Sequence, residues 1–262
     1  MTDSAPEHLN ARLAVLIDAD NTSASHAAPI LEELARYGVP TVKRAYGDWT
    51  TAQLGGWKSE LNRHAIQPVQ QFAYTTGKNS TDSALIIDAM DLLYSGNVDA
   101  FAIVSSDSDF TRLATRLRES GRTVYGLGQQ KTPASLVAAC DRFIYLEVLG
   151  RSEVDDGGPT RPDDLRRILT AAVQATSQDD GWALMSALGS YLTKTNASFD
   201  PRNYDFPKLS ALARAQDYLD VEQRGGGALQ VRLKPAATKK ATAKSSGRRP
   251  AKKAQKAPAT EG

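Results

Sequence analysis

Two short apolar runs in the chain end abruptly in acidic residues. Residues 14–17 are followed by Asp18, and residues 101–104 lead into Asp107 and Asp109. Short apolar runs bounded by turn residues are typical of buried strands in a parallel sheet. Ligands of open α/β sheets bind beyond the carboxyl ends of such strands, so the pattern predicts that these acids gather at one edge of the sheet.

The chain up to residue 147 alternates between strand-like and helix-like segments. One helix is predicted over 49–64, and another follows the polar loop 76–82. This alternation predicts an α/β domain with a mostly parallel sheet and helices on both faces. The further predicted strands cover residues 39–46, 66–74, 99–105, 122–127 and 142–146.

A further acid belongs to the helix after the loop 76–82. Asp82 lies one turn before the apolar face of this helix and on the same side, so its carboxylate is expected to point at the sheet edge. An Asp at a helix start also serves as a cap, and this alternative stays open for Asp82 taken alone. Asp88 and Asp91 fall on other faces and are expected to be solvated helix charges. The apolar face carries Ile86, Met90 and Leu93.

The remaining chain divides into three segments. Residues 148–162 form a predicted linker that is acidic, Gly-rich and bounded by proline. Residues 163–233 contain three helical stripes and then two strands about a Gly-rich turn, which is the pattern of a winged helix. Residues 234–262 are rich in Lys, Ala and Pro and have no apolar period, so this tail is predicted to be disordered.

Charge is distributed unevenly along the chain. The net charge is +2, but residues 234–262 hold nine Lys or Arg and a single acid, Glu261. The rest of the chain is therefore acidic on balance. A basic tail of this density favours a polyanionic partner.

Several classes of protein are disfavoured by what the sequence lacks. The single Cys140 excludes an internal disulfide framework and a cysteine-rich zinc site. No apolar segment approaches the roughly 18 residues that a membrane-spanning helix needs. The first ten residues are polar and unlike a signal peptide. A cytoplasmic protein without a membrane partner is the resulting expectation.

The acids predict a metal site if they converge. Carboxylates that hold Mg²⁺ or Mn²⁺ supply the activated water and the charge neutralisation that phosphodiester hydrolysis needs. Ligands that are all oxygen favour these ions over zinc, and the three histidines show no metal-ligand spacing. The predicted catalytic and metal-binding acids are Asp18, Asp82, Asp107 and Asp109.

Three segments resemble the motifs of NYN domains, which are LabA-like members of the PIN-like nuclease superfamily. They are Ile17 to Asn21, Lys78 to Asp82, and Val104 to Phe110. The family often has Gly where this chain has Ser106. The resemblance covers residues 12–147. It implies a PIN-like fold and a metal-dependent ribonuclease that uses the four acids named above.

Polar residues beside the acids are predicted to bind substrate. Each also has a simpler interpretation: the serines could satisfy turn amides, the lysine could be solvated, and the asparagine could orient the metal site or favour a tight turn. These residues are Asn21, Lys78, Ser105 and Ser106.

Residues 163–233 resemble the OST-HTH, or LOTUS, domain, a small winged helix associated with RNA binding. The resemblance rests on residues 184–192, 199–204 and 208–209. It implies that this domain recruits RNA, which we expect to be single-stranded, and the charge of the basic tail favours the same partner. The first candidates for RNA contacts are Arg202, Asn203, Tyr204 and Lys208, although Tyr204 also fits a core position.

Two other functions stay open. The segment 18–22 also fits the D-x-D-x-T pattern of haloacid-dehalogenase-like phosphatases, in which Asp18 would be the nucleophile and Asp20 a general acid. The short turn 22–25 leaves no room for the cap insertion typical of such enzymes. A non-catalytic RNA-binding adaptor on the same fold is the second alternative. The sequence also leaves open homodimerisation, the identity of the RNA, cleavage of DNA, and endo- or exonucleolytic cutting.

Overall fold

The structure, a computed structural model, describes residues 11–71, 80–149, 162–224 and 226–234. The elements of the first domain are β1 (Arg12–Asp18), α1 (Ala27–Leu34), β2 (Val39–Gly47), α2 (Trp57–His64), β3 (Gln67–Gln70), α3 (Ser80–Ser95), β4 (Ala100–Val104), α4 (Thr111–Glu119), β5 (Thr123–Gly128), α5 (Ala134–Ala139) and β6 (Arg142–Tyr145).

The six strands form one parallel sheet in the order β3-β2-β1-β4-β5-β6. This confirms the predicted parallel α/β architecture. Strands β2 and β3 are added on one side of β1, and strands β4 to β6 are added on its other side. The point between β1 and β4 is therefore the topological switch point, where open α/β sheets place their ligands.

Both faces of the sheet are covered by helices, as the continuous apolar runs predicted. Successive side chains of a strand point to opposite faces. Leu13, Val15 and Ile17 of β1 join one buried core together with α1 and α2. Ala14 and Leu16 join the other core, against α3, α4 and α5. Six of the seven residues of β1 are buried, which makes it the central strand of the domain.

Two predicted elements differ in extent. The helix predicted over 49–64 is divided, because a short 3-10 helix over Ala52–Gly56 precedes α2. Two consecutive glycines end this 3-10 segment, and glycine disfavours a continuous α-helix. The strand predicted over 66–74 is described only as β3, since residues 72–74 lie outside the described ranges.

The expectation for Asp88 was wrong. Its carboxylate forms an ion pair with Arg44 at 2.8 Å and accepts a hydrogen bond of 2.7 Å from the Tyr46 hydroxyl. Asp88 therefore connects α3 to the carboxyl-terminal half of β2. Asp91, in contrast, is exposed as predicted.

The second domain is a winged helix, as predicted. Its strands form a three-stranded antiparallel sheet in the order β7-β9-β8, packed on one apolar core with the helices. Gly226 and Gly227 in the turn of the hairpin have φ angles of 85° and 98°, a conformation that glycine accepts without strain. The elements are α6 (Pro162–Thr176), β7 (Ala183–Leu184), α7 (Met185–Thr195), α8 (Leu209–Arg214), β8 (Leu219–Arg224) and β9 (Ala228–Leu233).

Several predicted features fall outside the described residues. They are most of the linker over 148–162, the basic tail after Lys234, and Lys78 in the loop before α3. Within the described ranges, none of the helices has the length and apolar character needed to cross a membrane.

Candidate active site

The candidate acids lie at the carboxyl ends of the two central strands. Asp18 is the last residue of β1, and Asp107 follows β4 directly after two serines. Asp82 lies in the first turn of α3, the helix that crosses back to β4. Parallel pairing of Ile17 with Val104 brings the ends of β1 and β4 side by side.

Three carboxylates lie close enough to share one ion. Asp82, Asp107 and Asp109 each offer one carboxylate oxygen, and these three oxygens all lie within 4.8 Å of one another. Asp82 is buried, Asp107 is half-buried and Asp109 is exposed. The cluster is therefore closed by the protein at Asp82 and open to solvent at Asp109.

Asp18 is fully buried beside this cluster and is held by three hydrogen bonds. The backbone amide of Asn21 donates to Oδ1 at 3.2 Å, and the Asn21 side chain donates to Oδ2 at 2.9 Å. The hydroxyl of Ser105 donates to Oδ2 at 2.8 Å. Burial raises the pKa of Asp18, and these hydrogen bonds oppose the rise. Asp18 does not belong to the set of oxygens within 4.8 Å, so the structure brings together three of the four predicted acids directly.

The site carries an excess of negative charge. Burial, and after it the charges of the nearby carboxylates, raise the pKa of Asp82 to about 6. The carboxylates that contribute, in order of effect, are Asp18, Asp107, Asp109 and Asp20. A bound cation would relieve this repulsion, which is the electrostatic setting of a divalent metal site.

Asp20, which was predicted only as a general acid of the phosphatase alternative, also contributes to the negative charge of the site. Its charge also raises the pKa of Asp18. Its carboxylate accepts a long hydrogen bond, 3.4 Å, from the backbone amide of Asp48. The spacing Asp18-x-Asp20 at the end of a buried strand was the signal available in the sequence.

The loop after β4 is built to present Asp107 and Asp109. Asp107 caps the short 3-10 helix Ser108–Phe110, because its carboxylate accepts a hydrogen bond of 2.9 Å from the amide of Asp109. The hydroxyl of Ser105 accepts a hydrogen bond of 3.1 Å from the Asp107 amide while donating to Asp18. One hydroxyl group therefore connects the ends of both central strands.

The neighbouring strand fixes this loop from the other side. The hydroxyl of Ser106 accepts a hydrogen bond of 2.8 Å from the Gln129 amide. Gly128, which ends β5, approaches so closely that an added Cβ would lie 2.7 Å from the Ser105 carbonyl oxygen and 2.7 Å from the Thr132 hydroxyl. Glycine is thus required there for close packing.

The residues predicted to bind substrate mostly contact the protein itself. Asn21 and Ser105 hold the Asp18 carboxylate, and Ser106 holds the loop after β5. Lys78 lies outside the described residues. These contacts therefore agree with the structural roles given as alternatives for Asn21, Ser105 and Ser106.

The donor set fits a hard cation. The three clustered groups are carboxylates, and oxygen ligands are the preference of Mg²⁺ and Mn²⁺. No His or Cys joins the group that the described part of the chain brings together. The composition of the site therefore agrees with the metal class expected from the sequence.

The candidate RNA-binding residues of the second domain have different surroundings. The guanidinium of Arg202 donates to Glu33 of α1 and to Asp200. The side-chain amide of Asn203 donates to the Ser198 carbonyl oxygen at 2.9 Å. Tyr204 is half-buried against Phe199. Lys208, at the start of α8, is exposed.

The two domains are joined by direct contacts. The Phe143 amide of β6 donates to the carbonyl oxygen of Ala197 at 2.8 Å, so the second domain occupies part of the free edge of the sheet. Arg142 forms an ion pair with Asp200 at 3.3 Å and stacks on the Tyr37 ring. This interface was not predicted, because the residues that form it are distant from one another along the chain.

The fold and the site together define a PIN-like domain of the nuclease superfamily: a parallel sheet whose central strands carry clustered carboxylates at their carboxyl ends. More specifically, the family model of the NYN domain matches residues 12–147, and that of the OST-HTH/LOTUS domain matches residues 160–231. The chain belongs to the NYN domain family and carries a LOTUS domain after it. These two domains support a nuclease or RNA-associated role.

Comparison with solved structures finds proteins that are similar to parts of this chain. A protein of unknown function from Vibrio parahaemolyticus is similar over 54% of this chain and 95% of its own, with 17% identity and a TM-score of 0.46. A protein from Nitrosomonas europaea is 31% identical over 33% of this chain and 87% of its own, with a TM-score of 0.27. A fragment from Chromobacterium violaceum is 35% identical over 31% of this chain and 87% of its own, with a TM-score of 0.23. A search of curated proteins finds no match.

Proposed function

We propose that the protein is a metal-dependent ribonuclease that hydrolyses RNA phosphodiester bonds at the acid cluster. The observation that carries this proposal is the convergence of the Asp82, Asp107 and Asp109 carboxylates within 4.8 Å at the switch point of the sheet. Asp82 in the first turn of α3 meets Asp107 and Asp109 there, although β4 separates them along the chain. Membership of a nuclease superfamily is in agreement.

The acids have different parts in the proposed site. Asp82, Asp107 and Asp109 are the groups that would hold Mg²⁺ or Mn²⁺. When bound, such an ion supplies charge neutralisation and an activated water for phosphodiester hydrolysis. Asp18 adds its negative charge from its buried position beside the cluster, and its three hydrogen bonds keep it in one position.

The polar neighbours act by positioning the acids. Asn21 and Ser105 fix the Asp18 carboxylate, and Ser105 also binds the amide of Asp107. Lys78 remains a proposed contact to the phosphate of the substrate, since a cation four residues before Asp82 in the sequence could offset the charge of the RNA.

Recruitment of RNA is assigned to the LOTUS domain and to the basic tail. The tail from Lys234 onward holds nine Lys or Arg. Each cation that neutralises a phosphate releases counterions, so binding through the tail would weaken steeply with salt. Among the predicted contacts of the LOTUS domain, Lys208 is the exposed cation.

The phosphatase alternative fits the surroundings of Asp18 less well. A nucleophilic carboxylate must approach phosphorus with one free oxygen, whereas both oxygens of Asp18 accept hydrogen bonds and the residue is fully buried. Only a short turn and one 3-10 segment, Ala24–His26, separate β1 from α1. This connection is too short for a cap domain.

The test is an assay of labelled single-stranded RNA with Mn²⁺ or Mg²⁺. The full-length protein is expected to cleave the RNA, and Asp107→Asn is expected to lose cleavage while keeping its fold. Asp91→Asn is the matched control, because it makes the same change on the exposed face of α3 and should retain activity.

Other results would contradict the proposal in recognisable ways. Tight RNA binding without turnover under any divalent ion would indicate an adaptor. Hydrolysis of a small aryl phosphate in place of RNA would indicate a phosphatase. Cleavage by Asp107→Asn at the wild-type rate would show that the acid cluster has no part in the reaction.

A further inference from the structure

A polar cleft of about 390 Å³ lies between the two domains. Ligand sites in proteins are typically about 300–1,000 Å³ and occur preferentially at domain boundaries. The first domain contributes side chains that follow β5 and end β6, and the second contributes side chains from α6 and from the segment after α7. The residues that matter for its chemistry are Gln130, Tyr145, Arg167, Asn196, Asn203 and Tyr204.

The cleft lies on the same edge of the sheet as the acid cluster. Gln130 comes just after the carboxyl end of β5, and Tyr145 is the last residue of β6. The amide of Gln129 donates to the hydroxyl of Ser106, which is adjacent to Asp107. A linear ligand in the cleft could therefore continue along the loop after β4 to the clustered acids.

The lining groups match the chemistry of a single-stranded nucleic acid. Two half-buried tyrosines line the cleft, and unpaired bases stack on aromatic rings of this kind. Gln130 and the Nδ2 group of Asn196 carry polar atoms suited to base edges, and Arg167 is the cation of the lining. The other carboxamide, Asn203, donates to the Ser198 carbonyl oxygen. No carboxylate is among the described residues of this lining, although the chain before the tail is acidic overall. The described lining therefore carries one cation and no anion, although the carboxylate of Glu147 accepts a hydrogen bond of 2.9 Å from the backbone amide of Gln130.

The geometry of the cleft is fixed by the domain contacts. The Phe143–Ala197 backbone hydrogen bond and the Arg202–Glu33 ion pair hold the second domain against β6 and α1. Within the cleft, the side chain of Asn203 is held by the Ser198 carbonyl oxygen. A groove formed before the ligand arrives loses less entropy on binding.

We propose that this interdomain cleft binds a segment of single-stranded RNA and guides the strand to the acid cluster, an assignment that rests on the ribonuclease function proposed above. Specificity for single strands follows from the mode of contact. The bases of a duplex are stacked on one another and cannot reach the tyrosines.

Asn196→Asp tests the cleft with little change in packing. The Oδ1 atom of Asn196 accepts hydrogen bonds from the amide and the hydroxyl of Ser198, and an aspartate can accept both. The variant adds one negative charge facing the RNA. Asn97→Asp is the matched control, since Asn97 is exposed in the turn before β4, at the opposite edge of the sheet.

Binding is measured by fluorescence anisotropy of the full chain with a labelled 12-nucleotide single-stranded RNA in EDTA, so that no cleavage occurs. Asn196→Asp is expected to raise Kd by about tenfold, whereas Asn97→Asp leaves Kd unchanged. Arg167→Gln is expected to raise Kd and to reduce the salt dependence by about one phosphate contact. Lys58→Gln, on the exposed face of α2, is its control.

The outcomes separate this proposal from the proposed function. If Asn196→Asp and Arg167→Gln bind RNA as their controls do, the cleft does not bind RNA, even if Mn²⁺-dependent cleavage is intact. If both variants weaken binding but the wild-type protein cleaves nothing, the cleft stands and the ribonuclease function fails. Equal affinity for a 12-base-pair RNA duplex would overturn the assignment to single strands.

Discussion

Arg202 of the LOTUS domain binds Glu33 of the NYN domain through two parallel hydrogen bonds, each 2.9 Å long, between guanidinium and carboxylate. Glu33 is only 3% exposed. The hydroxyl of Tyr37 donates a third hydrogen bond to its carboxylate at 3.0 Å. An acid this deeply buried needs a paired cation. The second domain supplies Arg202 with two hydrogen bonds, and the exposed Arg36 of the first domain pairs with Glu33 at 3.1 Å. The ion pair therefore makes the position of one domain part of the stability of the other.

Arg202→Lys is expected to destabilise the protein although the charge is kept. Lysine cannot reproduce the two parallel hydrogen bonds, so Glu33 would be left incompletely paired. The expected loss is about 2–3 kcal/mol in the free energy of unfolding, measured by urea denaturation. Arg36→Ala is the control: Arg36 also contacts Glu33, but its side chain is 66% exposed and the loss should be about 0.5 kcal/mol or less. Equal losses in the two variants would contradict the role given to the domain contact.

Acid is expected to weaken the contact between the domains. Although burial acts to raise their pKa values, hydrogen bonds and charge from Arg202 lower the pKa of both Glu33 and Asp200. Carboxyl groups with a lowered pKa in the folded state contribute stability above their unfolded pKa, and this contribution disappears as pH falls through the folded pKa.

The stability difference between wild type and Glu33→Gln should therefore be constant near neutral pH and shrink below about pH 4. Urea unfolding at a series of pH values measures this difference. A difference that persists unchanged at the lowest pH would show that ionisation of Glu33 has no part in the contact.

Asp82→Asn is expected to stabilise the metal-free protein. The pKa of Asp82 is raised to about 6, so keeping this acid ionised at pH 8 costs folding free energy. For a carboxyl group with a raised pKa the penalty is absent below the unfolded pKa, near 4, and develops as pH rises through about 6. In EDTA at pH 8 the variant should be about 1–2 kcal/mol more stable than wild type, less than the full pKa shift because solvent screens part of the repulsion. At pH 3.5 the two should agree.

The same variant gives a test of metal binding. Wild-type Tm is expected to rise with added Mn²⁺, because a ligand that binds only the folded state stabilises it. Asp82→Asn should lose most of this rise. A higher Tm in EDTA together with a smaller response to Mn²⁺ would distinguish a ligand site from an ordinary helix cap, whose removal lowers stability.

Gly128→Ala is expected to disturb the acid loop from the adjacent strand. The added Cβ would lie 2.7 Å from the Ser105 carbonyl oxygen, which is backbone and cannot rotate away. Displacement of Ser105 would loosen its hydrogen bonds to Asp18 and Asp107. We expect a loss of about 1–3 kcal/mol in unfolding free energy and reduced RNA cleavage. Gly55→Ala, where nothing lies within 4 Å of the added Cβ, should behave as wild type.

The sequence predicted the architecture because that information is local. Each apolar run before Asp18 and Asp107 can be recognised as a strand from its own residues. Parallel topology then places both acids at the carboxyl ends of the strands, on one edge of the sheet. The helical spacing that placed Asp82 on the inner face is also local. For the same reason the winged helix was recognisable from three apolar stripes and a Gly-rich turn.

The sequence was a poor guide wherever a partner lies far away along the chain. Asp88 was expected in solvent because the helical period says nothing about Arg44 on a different strand. Arg202 was predicted to contact RNA, but the residue it binds in the structure, Glu33, lies 169 positions earlier in the chain. Ser105 could be recognised as a turn residue, but not as the hydroxyl that connects Asp18 with Asp107.

The order of the strands also has a consequence for synthesis on the ribosome. Asp18 and Asp82 belong to the half of the sheet that is made first, whereas Asp107 and Asp109 follow β4, which must insert beside β1 before the site exists. A nascent polypeptide that ends before residue 107 holds only part of the acid set. The proposed nuclease site is therefore incomplete until the growing chain has passed residue 109 and β4 has paired with β1.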